Sequence, residues 1–101
     1  MTLDEFIKLF NRRKIMVHVN NQLEKAEALK LVRTYVFTKT GYDVPFDPDY
    51  QYIGVTRGRD NICCWCNPDT VNARSVEYGE FCAIVYGQEE TVDEKSILSL
   101  L

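Results

Sequence analysis

The chain has 101 residues, of which 46% are hydrophobic and 27% charged, and its formal net charge is -3. That length and balance predict one globular domain rather than a disordered chain, while no apolar run approaches the ~20 residues of a membrane helix. The acidic sum argues against the chain as a whole acting as an electrostatic binder of nucleic acid. The opening Met-Thr-Leu-Asp-Glu-Phe lacks the basic start and apolar stretch of a signal peptide, so export is not expected and a reducing cytoplasm is.

The first predicted element is a short helix. Thr2 and Glu5 have the spacing of a capping box, and Leu3, Phe6, Ile7 and Phe10 recur at helical intervals. Arg12, Arg13 and Lys14 close it, where cations suit the negative end of the helix dipole. Ile15 to Val19 then alternates as a strand, with Ile15, Val17 and Val19 on one face and Met16 and His18 on the other. Asn21 and Glu24 repeat the capping-box spacing ahead of a helix predicted over 22–37. Its expected buried stripe is Ala28, Leu29, Val32, Tyr35 and Val36.

Residues 41–49 contain Gly41, Pro45 and Pro48 and read as a loop. Asp43, Asp47 and Asp49 do not follow the spacing of a calcium loop. A hairpin is expected over 50–66, with Gln51, Ile53 and Val55 on one face and Tyr50 and Tyr52 on the other. Arg74 to Glu77 reads as a further short strand, Phe81 to Val85 as helix or strand, and 91–101 as a terminal helix. The assembled order predicts an α+β domain spanning 1–101, with a small antiparallel sheet packed against helices.

Charge is unevenly distributed. Residues 1–39 sum to +4 and residues 40–101 to -7. Either these are two solvated faces of one domain, or the acidic half meets a basic surface. Asp69, Glu77, Tyr78, Glu80, Glu89 and Glu90 are the candidate partner-binding residues on the second reading. Tyr50, Tyr52 and Trp65 beside Arg57 and Arg59 suggest base stacking on a sheet, but eleven carboxylates in the same half oppose it. Those aromatics are expected to pack under helices or to form a protein-binding patch.

Four cysteines are present, three of them in Cys63-Cys64-Trp65-Cys66. In a reducing compartment such clusters bind metal or sit as small buried hydrophobes. A knuckle would pair Cys63 with Cys66, whereas an extended segment would put Cys64 and Cys66 on one face. Cys82 and His18, the remaining cysteine and the single histidine, would complete a tetrahedral set suited to structural zinc. The competing reading makes Cys63 and Cys82 core residues, Cys64 and Cys66 exposed thiols and His18 a surface strand residue.

No catalytic constellation stands out, so no enzymatic activity is expected. A nucleophile elbow, a glycine-rich phosphate loop and the His-x-Glu pattern of a zinc deaminase are all missing. Glu77 and Glu80 are better read as solvated surface residues than as an acid–base pair. In its length, its acidic balance, the opening Thr2-Leu3-Asp4-Glu5-Phe6 and the Val17-His18-Val19-Asn20 strand leading into a capped helix, the chain resembles small proteins of streptococcal phages and prophages. Some of these are anti-CRISPR inhibitors of the type II RNA-guided nuclease. The resemblance implies a non-enzymatic protein that binds a type II CRISPR-associated nuclease in the cytoplasm of the infected bacterial host. It would block loading of target DNA and itself contact neither nucleic acid nor membrane. A zinc-stabilised phage or host transcriptional regulator, or a protein that sequesters a nucleotide signal, are the other expectations.

Overall fold

The computed structural model describes residues 1–37, 50–58 and 61–87. The expected loop over 41–49, the terminal helix over 91–101 and Arg59, Glu89 and Glu90 lie outside them. The described elements run α1 (Leu3–Asn11), β1 (Ile15–His18), α2 (Gln22–Leu31), a π-helical turn (Val32–Val36), β2 (Tyr52–Val55), β3 (Ile62–Trp65), a 3-10 turn (Pro68–Val71) and β4 (Arg74–Glu77). A third helix, α3, occupies 78–87.

Both predicted caps form. Glu5 N donates to Thr2 Oγ1 at 3.2 Å, and Glu24 N donates to Asn21 Oδ1 at 2.9 Å. The Glu24 carboxylate closes the second cap one residue earlier than a capping box would, accepting from Asn20 N at 3.0 Å and Asn20 Nδ2 at 3.1 Å. At the end of α1, Arg13 N donates to Phe10 O and Lys14 N to Leu9 O. This is the Schellman pattern, whose left-handed residue is usually glycine. Here it is Arg13, at φ 62°.

The four strands form one sheet in the order β3-β2-β1-β4. β1 pairs antiparallel with β2 and parallel with β4, so the sheet is mixed and not wholly antiparallel as the element order suggested. β2 and β3 form the expected hairpin, with Tyr52 opposite Trp65 and Gly54 opposite Cys63. Strand alternation then defines two faces. Ile15, Val17 and Val19 of the first strand segment, with Ile53, Val55, Ile62, Cys64 and Val76, join the hydrophobic core. Met16, His18, Tyr52, Gly54, Cys63, Trp65, Ser75 and Glu77 fall on the outer face.

All three helices bury their apolar sides in that inner core, through Phe6 and Phe10, Ala28 and Leu31, and Phe81, Ile84 and Val85. Phe6 is the meeting point, with ring centroids 5.7 Å from Phe10 and 5.1 Å from Phe81. Each such aromatic contact contributes about 0.5–1.5 kcal/mol beyond the area it buries.

The second helix departs from the predicted stripe. Leu31 and Val32 are both buried, and the next buried pair is Val36 and Phe37, a spacing of five. A π turn, closed by Phe37 N donating to Val32 O at 2.7 Å, produces that spacing. It also rotates Tyr35 outward, to 38% exposure, where regular α geometry would have buried it.

Lys25, only 3% exposed, takes a place in the stripe that its residue type would not suggest. Its Nζ donates to Tyr50 O at 2.8 Å, tying α2 to the chain entering β2. Lys25→Ala should lower the unfolding free energy by about 2 kcal/mol in urea titrations, the size of a charge-assisted hydrogen bond plus an orphaned carbonyl. A change within about 0.5 kcal/mol, as at ordinary surface sites, would show that the tie carries no stability.

Candidate functional site

The outer face of the sheet collects the polar and aromatic side chains that the core leaves out. One row crosses all four strands: Glu77, His18, Tyr52 and Trp65, each paired in register with the next. His18 Nδ1 lies 2.8 Å from Glu77 Oε2, and His18 Nε2 lies 3.4 Å from Gln51 Oε1. A neutral imidazole has one N–H and donates to one of these oxygens, whereas an imidazolium donates to both. The ring is also 4.8 Å from that of Tyr52. A carboxylate on Nδ1 orients an imidazole as in a catalytic dyad, but the other nitrogen meets an amide oxygen, not a nucleophile.

Beside this row lies a tighter nest. Gly54 is the position where backbone must be bare: a β-carbon there would stand 2.9 Å from Met16 Cγ, 3.0 Å from Met16 Cε and 3.4 Å from Trp65 Nε1. Met16 and the Trp65 indole therefore lie down over the Gly54 backbone, and Met16 is 1% exposed although it faces away from the helices. Among the described residues the buried indole Nε1 has no hydrogen-bond partner. Arg13 closes the nest from the end of α1. Its Nε donates to Val55 O at 3.1 Å, and its guanidinium carbon is 5.8 Å from the Trp65 ring centroid.

The candidate zinc donors, Cys66 with either Cys63 or Cys64 and then Cys82 and His18, do not come together in this arrangement. Cys64 points into the core and Cys63 to the outer face, where its thiol donates to Cys64 O at 3.4 Å. Cys66 is exposed beyond β3, and Cys82 sits half-buried on α3 against the core. His18 is on the outer face with Glu77. Among the described residues, no group of three or more histidine, cysteine, aspartate or glutamate side chains is gathered as a metal ion needs.

The expected acidic patch is also divided. Glu77, Tyr78 and Glu80 lie together where β4 runs into α3, while Asp69 is exposed in the 3-10 turn at the opposite end of β4. Sequence reasoning missed two contributors from α2. Glu27 Oε1 accepts from Tyr86 Oη at 3.3 Å, and Glu24 and Glu27 both act on Tyr78. The Tyr78 hydroxyl is pushed up to about 12 by its hydrogen bond with Cys82, then by desolvation and by the charges of Cys82, Glu27 and Glu24. Tyr86 is raised as well, by desolvation and by Glu27. Helical spacing from 78 to 82 to 86 was the available signal, since these positions share one side of α3.

A cavity of about 200 Å³ opens at the start of α2, lined by Val19, Asn20, Asn21, Gln22, Lys25, Tyr50 and Gln51. No helix of the described residues is long and apolar enough to cross a membrane. Comparison with protein-family models, curated proteins and solved structures gave no match.

Two measurements check this geometry. Gly54→Ala should destabilise the fold by about 1–3 kcal/mol, as overpacking does, and adding Met16→Ala should recover part of that loss. Equal costs with and without Met16→Ala would mean that the β-carbon meets no obstacle there. Tyr78 titrates at about 12 in the fold against 10.0 in an unfolded chain. Its contribution to stability is thus complete below pH ~10 and is lost as pH rises toward the folded value. Absorbance titration near 295 nm should show Tyr78→Phe removing the last phenolate transition; loss of an early one would contradict the assignment.

Proposed function

We propose that this chain is a non-enzymatic inhibitor that binds a type II RNA-guided nuclease and prevents target DNA from loading. The observation that carries this reading is the carboxylate and tyrosine surface shared by α2 and α3. Glu24 and Glu27 meet neither lysine nor arginine among the described residues, where the carboxylate set against a basic side chain is Glu77, 2.8 Å from His18 Nδ1. Tyr78 and Tyr86 stand between and beside them as neutral, partly exposed rings, and the exposed Glu80 extends the surface. Tyrosine anchors within an acidic rim suit a cationic protein groove. The nuclease holds its RNA–DNA heteroduplex in a positively charged channel, which is a target of the matching sign. The resemblance to streptococcal phage proteins is what selects this nuclease among proteins with basic grooves.

Mixing the purified chain with guide-loaded nuclease before adding DNA should suppress both DNA binding and cleavage, more weakly as salt rises. Glu27→Lys with Glu80→Lys should reduce inhibition at least tenfold, because like charges would then face each other. Unchanged cleavage at large excess of the chain, across a panel of orthologous nucleases, would overturn the proposal.

A further inference from the structure

β4 is an edge of the sheet, and the backbone that it turns away from β1 is open. In the order β3-β2-β1-β4 its one neighbour is β1. Arg74 N donates to Lys14 O at 3.0 Å, so Arg74 and Val76 turn their N–H and C=O groups toward β1. The residues between them in a parallel ladder face the other way. Ala73, Ser75 and Glu77 therefore present their backbone at the free edge. Ala73 N is already bonded to Pro68 O at 3.1 Å, and Glu77 C=O enters the first turn of α3. Ser75 N–H, Ser75 C=O, Ala73 C=O and Glu77 N–H remain, without a partner among the described residues. Ser75 is exposed, and no proline lies in the strand to blunt it.

These groups are self-complementary. A second copy, turned about a two-fold axis normal to the sheet at Ser75, runs antiparallel and sets Ser75 against Ser75 and Ala73 against Glu77. Ser75 N–H then meets Ser75 C=O twice, and Glu77 N–H meets Ala73 C=O twice. The groups that this register leaves idle, Ala73 N–H and Glu77 C=O, are the two already bonded within the chain. Centring the axis on Arg74 or Val76 instead would halve the bonds.

Charge favours the same register. Strand alternation puts Lys14 on the outer face with Met16 and His18, and Ala73 there with Ser75 and Glu77. Lys14 stands beside Ala73, and Ala73 faces Glu77 of the second copy, so the three form one row across the joint. Neighbouring strands lie about 4.8 Å apart, which leaves about 10 Å between the backbones of Lys14 and that Glu77, with the small Ala73 side chain between. Lys14 is exposed, and the Glu77 side chain keeps 63% exposure beside His18. Both reach far enough to meet over an alanine, and the axis makes the contact twice. Opposite charges attract a copy here, whereas charges that guard an edge repel one.

We propose that this chain forms a two-fold dimer through β4, joining two four-stranded sheets into one with both helical layers on the same side. The proposal is independent of the nuclease reading, which uses the α2–α3 surface. So short a strand makes a dimer that depends on concentration.

Sedimentation velocity on the intact chain from about 10 µM to about 1 mM should show monomer giving way to dimer, with weaker association as salt rises. Over the same range, hydrogen exchange followed by NMR should slow at the Ser75 and Glu77 amides. It should stay unchanged at Arg74 and Val76, which β1 already protects. Ser75→Pro removes one outward N–H per chain and leaves the ladder with β1 whole. It should weaken the dimer by about tenfold while circular dichroism keeps the parent spectrum. Lys14→Glu and Glu77→Lys should each weaken it by about tenfold, because each sets like charges together twice. Combining the two restores opposite charges and should recover most of the loss.

A chain that stays monomeric at about 1 mM would overturn the proposal. A dimer that forms without slowing Ser75 and Glu77, or that Ser75→Pro leaves undiminished, would place the interface elsewhere and refute it. If Ser75→Pro does not fold, the charge exchange decides, and failure of the combined variant to recover the dimer refutes this register. Nuclease inhibition by a strictly monomeric chain would leave the inhibitor reading standing with the dimer refuted.

Discussion

The pairing of β1 on both of its edges governs the rest of this molecule. β1 is four residues long, yet it joins the β2–β3 hairpin on one side and β4 on the other. Its alternation commits Ile15 and Val17 to the helical core and Met16 and His18 to the outer face. A slip of one residue against either neighbour would exchange those sets and put an imidazole into the core, so burial on one face locks the register of the whole sheet. Everything on the outer face inherits its position from that register, including the His18–Glu77 contact between strands 59 residues apart in the chain.

The two faces then divide the labour by chemistry. On the inner face the phenylalanines of α1 and α3 meet, and the buried charged side chain among the described residues is Lys25, whose ammonium donates to the Tyr50 carbonyl. On the outer face a bare glycine lets Met16 and Trp65 lie flat against backbone, with Arg13 above. A small domain has a thin core and gains from such a secondary cluster.

Charge follows the direction of the parallel strands. β1 begins just after Lys14 and β4 begins at Arg74, and both end near carboxylates, with Glu77 closing β4 and Glu24 and Glu27 on the helix that follows β1. Parallel pairing places like ends together, so Lys14 and Arg74 lie at one end and His18 and Glu77 at the other. Had β4 run antiparallel, Arg74 would lie beside His18 and Glu77 beside Lys14, and the two surfaces would have neutralised each other.

Much of this was legible in the residues alone. The caps at Thr2 and Asn21, the two faces of β1 and the β2–β3 hairpin all depend on contacts within a few residues or on a period of two, and both are written directly in spacing. The α+β class follows from their order. What spacing could not supply was which strand lies beside β1 and in which direction, because that is settled by burial of side chains far apart in sequence. The pairing of His18 with Glu77 and the placing of Arg13 on Trp65 both follow from it. The burial of Lys25 and the outward turn of Tyr35 were hidden for a related reason. A helical stripe predicts one side of a regular helix, and the tertiary core required a π turn to bring Val36 and Phe37 beneath Leu31 and Val32.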